Sequence, residues 1–214
     1  MSAVMNGDNL SVGQLVYGFE VDDKYLRQYA SLVSQFYKKD LDLDLMENNM
    51  QGGLEQPKPG EYIYIARDGD RVVAGAKISF ASRVSGTSLP MEEGAFTVHG
   101  FLPEAYGQQS YAEIGRLVVD PTYRGKEVLH TMVAELTAFA VQQGCGYLFV
   151  LAPALNAVLY RRVCRSLKMP IELHKDANLP DKPLYRRLDI KLLSSDIRSL
   201  YATEAEREQY DMAV

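Results

Sequence analysis

Hydrophobic and polar positions alternate from Leu15 to Val21 around aromatic residues, which predicts a first strand. Tyr25, Leu26, Tyr29, Val33 and Phe36 then recur at helical spacing, so Asp22 to Lys39 reads as an amphipathic helix with Asp22 or Asp23 as its N-cap. From Asp40 to Gly60 the period dissolves into a Leu/Asp alternation, Asn48-Asn49, Gly52-Gly53, Pro57 and Pro59, which predicts a long loop with room for one helical turn. Glu61 to Arg67 and Arg71 to Phe80 are β-rich runs joined by Asp68-Gly69-Asp70, a hairpin signal because Gly69 accepts a positive φ. Ser82 to Gln109 is irregular, with a short strand expected around Ala95 to His99.

The second half is more regular. Tyr111 to Val119 reads as a strand, Lys126 to Gln143 as a helix with Leu129, Met132, Val133, Leu136 and Ala140 on one face, and Gly146 to Ala152 as a nearly all-apolar strand. That order, ending in a strand apolar on both sides, implies a parallel βαβ unit. Leu155, Val158, Leu159, Val163 and Leu167 mark another helix, and Pro170 to His174 and Leu184 to Leu193 read as two closing strands. Ser194 to Val214 is polar and acidic, with a weak helical pattern from Glu204 to Tyr210. No internal repeat or linker interrupts the chain. The expectation is one α/β domain over residues 1–214, core about 15–193, whose mixed sheet is antiparallel in its N-terminal half and βαβ in its C-terminal half.

Charge narrows the function classes. Across 214 residues, 23 Lys and Arg face 28 Asp and Glu for a net charge of -5, so no broad basic footprint suggests nucleic acid. No apolar run reaches the ~18 residues of a membrane span, and Met1 to Leu15 lacks the basic start and apolar stretch of a secretion signal; a cytoplasmic location is expected. Cys145 and Cys164 form no CxxC pair and read as core residues. His99, His130 and His174 lack HExxH spacing, so no metal site is expected.

The chemistry concentrates in Glu113-Ile-Gly-Arg-Leu-Val-Val-Asp-Pro-Thr-Tyr-Arg-Gly-Lys-Glu-Val-Leu129, which leaves a strand, turns at Asp120-Pro121 and starts a helix through Arg124-Gly125-Lys126. A helix N-terminus offers unpaired N–H groups and partial positive charge, so two basic side chains beside it can cradle a phosphate; the same residues also suit a plain solvated helix start. After the next strand comes Asn156-x-x-x-Tyr160. In this order of elements and motifs the chain resembles the GNAT N-acetyltransferase superfamily, most specifically from Glu113 to Tyr160.

The resemblance implies an acyltransferase using acyl-CoA or acetyl-CoA as donor and a small-molecule amine as acceptor. It implies that Arg124, Gly125, Lys126, Glu127, Val128 and Leu129 hold the pyrophosphate and pantetheine, and that Asn156 contacts the pantetheine arm. It further implies that the acyl carbonyl lies against the backbone of Leu117, Val118 and Val119 where two strands splay, and that Tyr160 protonates the departing thiolate. The family loop runs Arg/Gln-x-x-Gly-x-Gly/Ala, and here Glu127 and Leu129 replace both later glycines. Glu127 adds bulk and negative charge beside a diphosphate; an acyl carrier protein, which presents pantetheine through one phosphodiester, tolerates this better.

Glu113-Ile-Gly-Arg116-Leu-Val-Val-Asp also resembles the Glu-x-Ser/Thr-Arg-Phe-x-Val-Asp strand of acyl-homoserine lactone and N-acyl amino acid synthases, and Gly75-Ala-Lys77 resembles their Gly-x-Arg strand. Gly115 stands where those enzymes have Ser or Thr, and the chain has no Trp. Glu113 is the candidate general base, because a carboxylate within an apolar strand is raised toward the titration range of use for an ammonium substrate; the alternative is a structural pair with Arg116. Arg116 can hold a substrate carboxylate bidentately or form a rim salt bridge. A regular strand puts Glu113 and Arg116 on opposite faces, so joint action requires a bulge. Tyr160 lies one turn after Asn156 on the same helix face and can be acid or core aromatic. Arg161, Arg162 and Arg165 extend a carrier or phosphate surface or are solvated charge. A homodimer and a catalytically silent ligand-binding domain of the same fold remain open.

Overall fold

The computed structural model describes residues 15–42, 56–82, 84, 86–103, 110–125 and 127–200. Most of the Asp40–Gly60 loop, Lys126, and the tail with the helical pattern at Glu204–Tyr210 lie outside the described residues. In chain order the elements are β1 (Val16–Glu20), α1 (Asp23–Asp40), β2 (Glu61–Asp68), β3 (Arg71–Ser82), β4 (Ser110–Val119), α2 (Val128–Gln142), β5 (Cys145–Pro153), α3 (Ala154–Ser166), β6 (Glu172–His174), α4 (Pro183–Arg187) and β7 (Ile190–Asp196). They form a seven-stranded sheet in the order β1-β2-β3-β4-β5-β7-β6. β1 to β4 pair antiparallel, β4 and β5 pair parallel across α2, and β7 returns antiparallel. The mixed sheet expected from the sequence is therefore present. No helix among the described residues is long and apolar enough to cross a membrane.

Each face of the sheet has its own cover. On one, Met132, Val133, Leu136 and Ala140 of α2 and Val163 and Cys164 of α3 pack on Ala76, Ile78, Ala112, Ile114 and Leu148. On the other, Leu26, Tyr29, Ala30 and Val33 of α1 cover Ile63, Ile65, Val72 and Val118. Beside α1 the segment from Leu89 to Phe101 covers Ala81, Tyr111, Tyr147 and Phe149. Asp22 caps α1 by accepting from Lys24 N at 2.7 Å, and Gly69 takes φ 56° in the expected hairpin.

Three sequence expectations need correction. No strand forms at Ala95–His99; a 3-10 turn at Val98–Phe101 replaces it. The Glu92 carboxylate accepts from Leu89 N, Val98 N and the Thr97 hydroxyl, and this side-chain anchoring outcompetes a ladder. The strand expected from Leu184 starts only at Ile190, because Pro183 opens the short helix α4 and Asp189 turns at φ 47°. Ser194 to Asp196 belong to β7 rather than to a tail. Ser194 and Ser195 are buried, their hydroxyls satisfied by His174 Nε2 at 2.7 Å and the Pro170 carbonyl, so polar sequence here masks core.

One close approach governs the centre of the molecule. A Cβ on Gly75 of β3 would stand 2.4 Å from the ring of Tyr29, which is fully buried. The Tyr29 hydroxyl crosses β3 there and donates to the Arg116 carbonyl of β4 at 2.9 Å. Gly75→Ala is expected to cost about 1–3 kcal/mol by overpacking, and Tyr29→Phe about 1 kcal/mol by losing the hydrogen bond. Urea unfolding of each variant and of the pair measures this; additive losses would show that the ring and the carbonyl are not coupled.

Candidate active site

β4 and β5 are paired only from Ser110–Glu113 to Cys145–Phe149. Beyond that point β4 stays with β3 as far as Val119 while β5 stays with β7 as far as Pro153. The sheet therefore forks, and Glu113 stands at the fork. β4 is also bulged: Gly75 pairs Val118 but Lys77 pairs Gly115, and Arg116 takes φ 52°. Such a conformation costs a non-glycine residue about 1 kcal/mol or more, and Tyr29 holds its carbonyl. Asp120 N donates to Val73 O at 2.8 Å; ladder alternation then turns the Val118 N–H to β3 and the Leu117 and Val119 N–H groups into the fork. The Val118 side chain is buried under α1.

The bulge meets the condition that the regular strand failed. The guanidinium of Arg116 favours the charged form of Glu113, and the Tyr37 hydroxyl of α1 senses both. Glu113 accepts from Met91 N at 2.8 Å. Burial pushes its pKa up to about 7, against the opposing pull of the Met91 N–H, Lys77 and Arg116. Burial also raises Tyr160 of α3, and Tyr37 and Tyr29 of α1, on the other side of the sheet, interact with it electrostatically. Its ring lines, with Ile114, Val150 and Cys164, a cavity of about 20 Å³, which is room for about one water. Tyr185 of α4 senses Glu113 as well.

The cradle is less open than its sequence suggests. Arg124 is turned away from the helix start: its guanidinium binds Asp40 at 2.6 Å, reaches the Val119 carbonyl at 3.2 Å and lies over Phe36. Gly125 has φ 85° and Glu127 φ 60°, so Glu127 occupies a backbone state that suits the glycine it replaces. The first helical bond runs from Thr131 N to Glu127 O, which leaves the N–H groups of Val128, Leu129 and His130 without intrahelical acceptors. Val128 is buried, and Leu129 packs against the α2 core. Asn156 lies in the first turn of α3, partly buried. Arg161, Arg162 and Arg165 line a groove of about 210 Å³ with Val158, and no carboxylate among the described residues pairs with them.

Sequence reasoning missed Tyr29, Tyr37, Tyr185, Glu61 and the pairing of Lys77. Tyr29 was legible only as an aromatic on the apolar stripe of α1, and Tyr37 falls outside that stripe; Gly75 in a strand was the one hint that a side chain crosses the backbone there. Burial pushes the thiols of Cys145 and Cys164 up to about 12 and 11, as suits core residues. Among the described residues no group of His, Cys, Asp and Glu could hold a metal ion.

The sequence model of the Acetyltransferase (GNAT) family matches residues 26–164, from α1 through α3. This chain belongs to the GNAT acetyltransferase family. The match covers β3, β4 and β5 of the fork while β7 lies beyond it, and the chain is accordingly an acyltransferase. Solved structures share the GNAT fold at low identity. FeeM, an N-acyl amino acid synthase from uncultured soil microbes, is 14% identical with a TM-score of 0.58, over 87% of this chain and 94% of its own. A putative acetyltransferase from Salmonella typhimurium, solved with its cofactor acetyl-CoA, is 14% identical with a TM-score of 0.56, over 89% and 98%. A GNAT acetyltransferase from Staphylococcus aureus Mu50 is 11% identical with a TM-score of 0.56, over 86% and 99%. No curated protein sequence matches the chain.

The raised Glu113 carboxyl has a measurable consequence. A carboxyl titrating above its ordinary value contributes stability in acid that is lost as pH rises through about 7. Glu113→Gln is therefore expected to gain stability relative to the parent above pH 7 and not below pH 5, measured by urea unfolding at both pH values. An equal difference at the two would contradict the raised value.

Proposed function

We propose that this GNAT protein transfers an acyl group from a pantetheine thioester to the amine of a small molecule that also carries a carboxylate, such as an amino acid. The observation that carries the reading is the Glu113 carboxylate, buried at the point where β4 and β5 part, held by the Met91 N–H and acted on by the Arg116 charge. Glu113 takes a proton from the acceptor ammonium, and the free amine attacks the thioester carbonyl. The Leu117 and Val119 N–H groups stabilise the oxyanion. As the carbon–sulfur bond breaks, Tyr160 gives its proton to sulfur and regains one from the new amide nitrogen. Arg116 binds the acceptor carboxylate.

Asn156 and the N–H groups that open α2, from Val128 and Leu129, hold the pantetheine and its phosphate. Arg124 supports the loop through Asp40 and reaches phosphate only after leaving it. Two features favour a carrier-bound acyl chain over acyl-CoA. Glu127 projects negative charge from an exposed position at the cradle, opposing a diphosphate more than a single phosphodiester. On α3, Leu155, Val158 and Leu159 are exposed beside Arg161, Arg162 and Arg165, a face that suits an acidic protein.

The test is thermal stabilisation by CoA, acetyl-CoA, a long-chain acyl-CoA and an acylated carrier protein in parallel, followed by turnover. A ligand at about 100 times its Kd adds ~2.7 kcal/mol. Stabilisation by the carrier-bound donor above the CoA esters is expected, and Glu127→Gly should narrow that gap by strengthening CoA binding. Glu113→Gln should lower kcat/KM by about 10²–10⁴ and Tyr160→Phe should lower kcat. No response to any of the four donors would instead favour a silent ligand-binding domain.

A further inference from the structure

The strip of sheet between the two covers that flank Glu113 holds more charge than this chemistry uses. Cross-strand register stacks Glu61, Ser79 and Glu113 in one row and Ile63, Lys77 and Gly115 in the next. Lys77 is thus diagonal to a carboxylate on either side, at the ~7–8 Å typical of such neighbours. It binds only one of them: Lys77 Nζ lies 2.7 Å from Glu61 Oε1, and the two side chains are 12% and 11% exposed. Glu61 is itself fixed by accepting from Lys58 N at 3.1 Å. Burying an ion pair returns little stability to a fold, so this one is costly if it serves packing alone.

We propose that Glu61 and Lys77 are positioning residues for the reaction: Glu61 holds the Lys77 ammonium diagonal to Glu113, where its charge governs when Glu113 is free to accept the proton of the incoming amine. The proposal rests on the reading of Glu113 as base. Lys77 remains an ammonium throughout and takes no proton itself. Every element around Glu113 leaves this pair a distinct influence. β4 contributes Arg116, α1 the Tyr37 hydroxyl and α4 the Tyr185 hydroxyl. The loop contributes the Met91 N–H, and Lys182 with Glu93 lies beyond Tyr185. On β5 the residue opposite Glu113 is the apolar Phe149. Burial keeps both tyrosine hydroxyls protonated, so among the described residues the formal charges acting on Glu113 are Lys77, Arg116 and Glu61.

Opposite signs make the test specific. Lys77→Met removes a cation and leaves the Glu61 anion, so the Glu113 midpoint should rise by about one pH unit. Glu61→Gln leaves Lys77 unshared, so the midpoint should fall, and the double variant should return toward the parent. Glu113 is followed directly by ¹³C NMR of labelled carboxylates, assigned with Glu113→Gln, and the acid limb of kcat/KM against pH is measured beside it. Lys77→Arg keeps the charge and should keep the parent profile, and the downward shift expected in Glu61→Gln preserves the test if Lys77→Met does not fold. Shifts of one sign in both single variants, or lost stability with an unmoved midpoint, would overturn the proposal. NMR midpoints that move in opposite directions while the rate profile stays fixed would uphold the pair's hold on Glu113 and refute Glu113 as base.

Discussion

A single hydrogen bond from the Tyr29 hydroxyl to the Arg116 carbonyl fixes the geometry of the site. It crosses β3 where Gly75 leaves room for the ring, and it fastens the bulge that reorients β4. Without the extra residue, Glu113 and Arg116 would point to opposite faces. With it, the base candidate, the carboxylate-binding candidate and Tyr37 share one electrostatic neighbourhood. The strain of a positive φ at Arg116 is balanced by the packing of Tyr29, which has no exposed surface.

The fork follows from the same arrangement. A bulged β4 that remains with β3 cannot continue its ladder with β5, which β7 holds on its other edge. The separation exposes two backbone edges inside a well-packed domain, and unpaired buried amides are costly unless something occupies them. A thioester carbonyl and a pantetheine arm have the acceptors and donors to do so. Around this opening the sheet is polar on a narrow strip, with Glu61, Lys77, Ser79 and Glu113 between the α1 cover and the Leu89–Phe101 cover. That isolation is what raises Glu113 and gives a single cation such weight.

Periodicity and turn chemistry made most of the fold legible: the Asp68-Gly69-Asp70 hairpin, the α1 stripe and the βαβ unit all came through because each has a local cause. Where a local rule was overridden, the cause was a long-range polar contact. Glu92 reaching across to Val98 N replaced a strand with a 3-10 turn, and His174 with Pro170 satisfied serines that read as tail. Of the proposed site, the motifs singled out Glu113, Arg116, Tyr160 and Asn156 as candidates, whereas Arg124 is turned toward Asp40, 84 residues away in sequence. No spacing rule announces that pair, nor the meeting of Glu61 with Lys77, because both depend on strand register and on where a helix ends.

The central claim is that the bulged, forked β4 presents the acyl carbonyl between Glu113 and Tyr160. A crystal structure with an acyl-pantetheine analogue, its thioester sulfur replaced by methylene to prevent turnover, tests this most directly. The account predicts the carbonyl oxygen within hydrogen-bond distance of Leu117 N or Val119 N, with the Tyr160 hydroxyl near the methylene and Glu113 on the opposite side of the carbonyl. An analogue bound elsewhere, or a β4–β5 ladder that closes through the fork on binding, would contradict it.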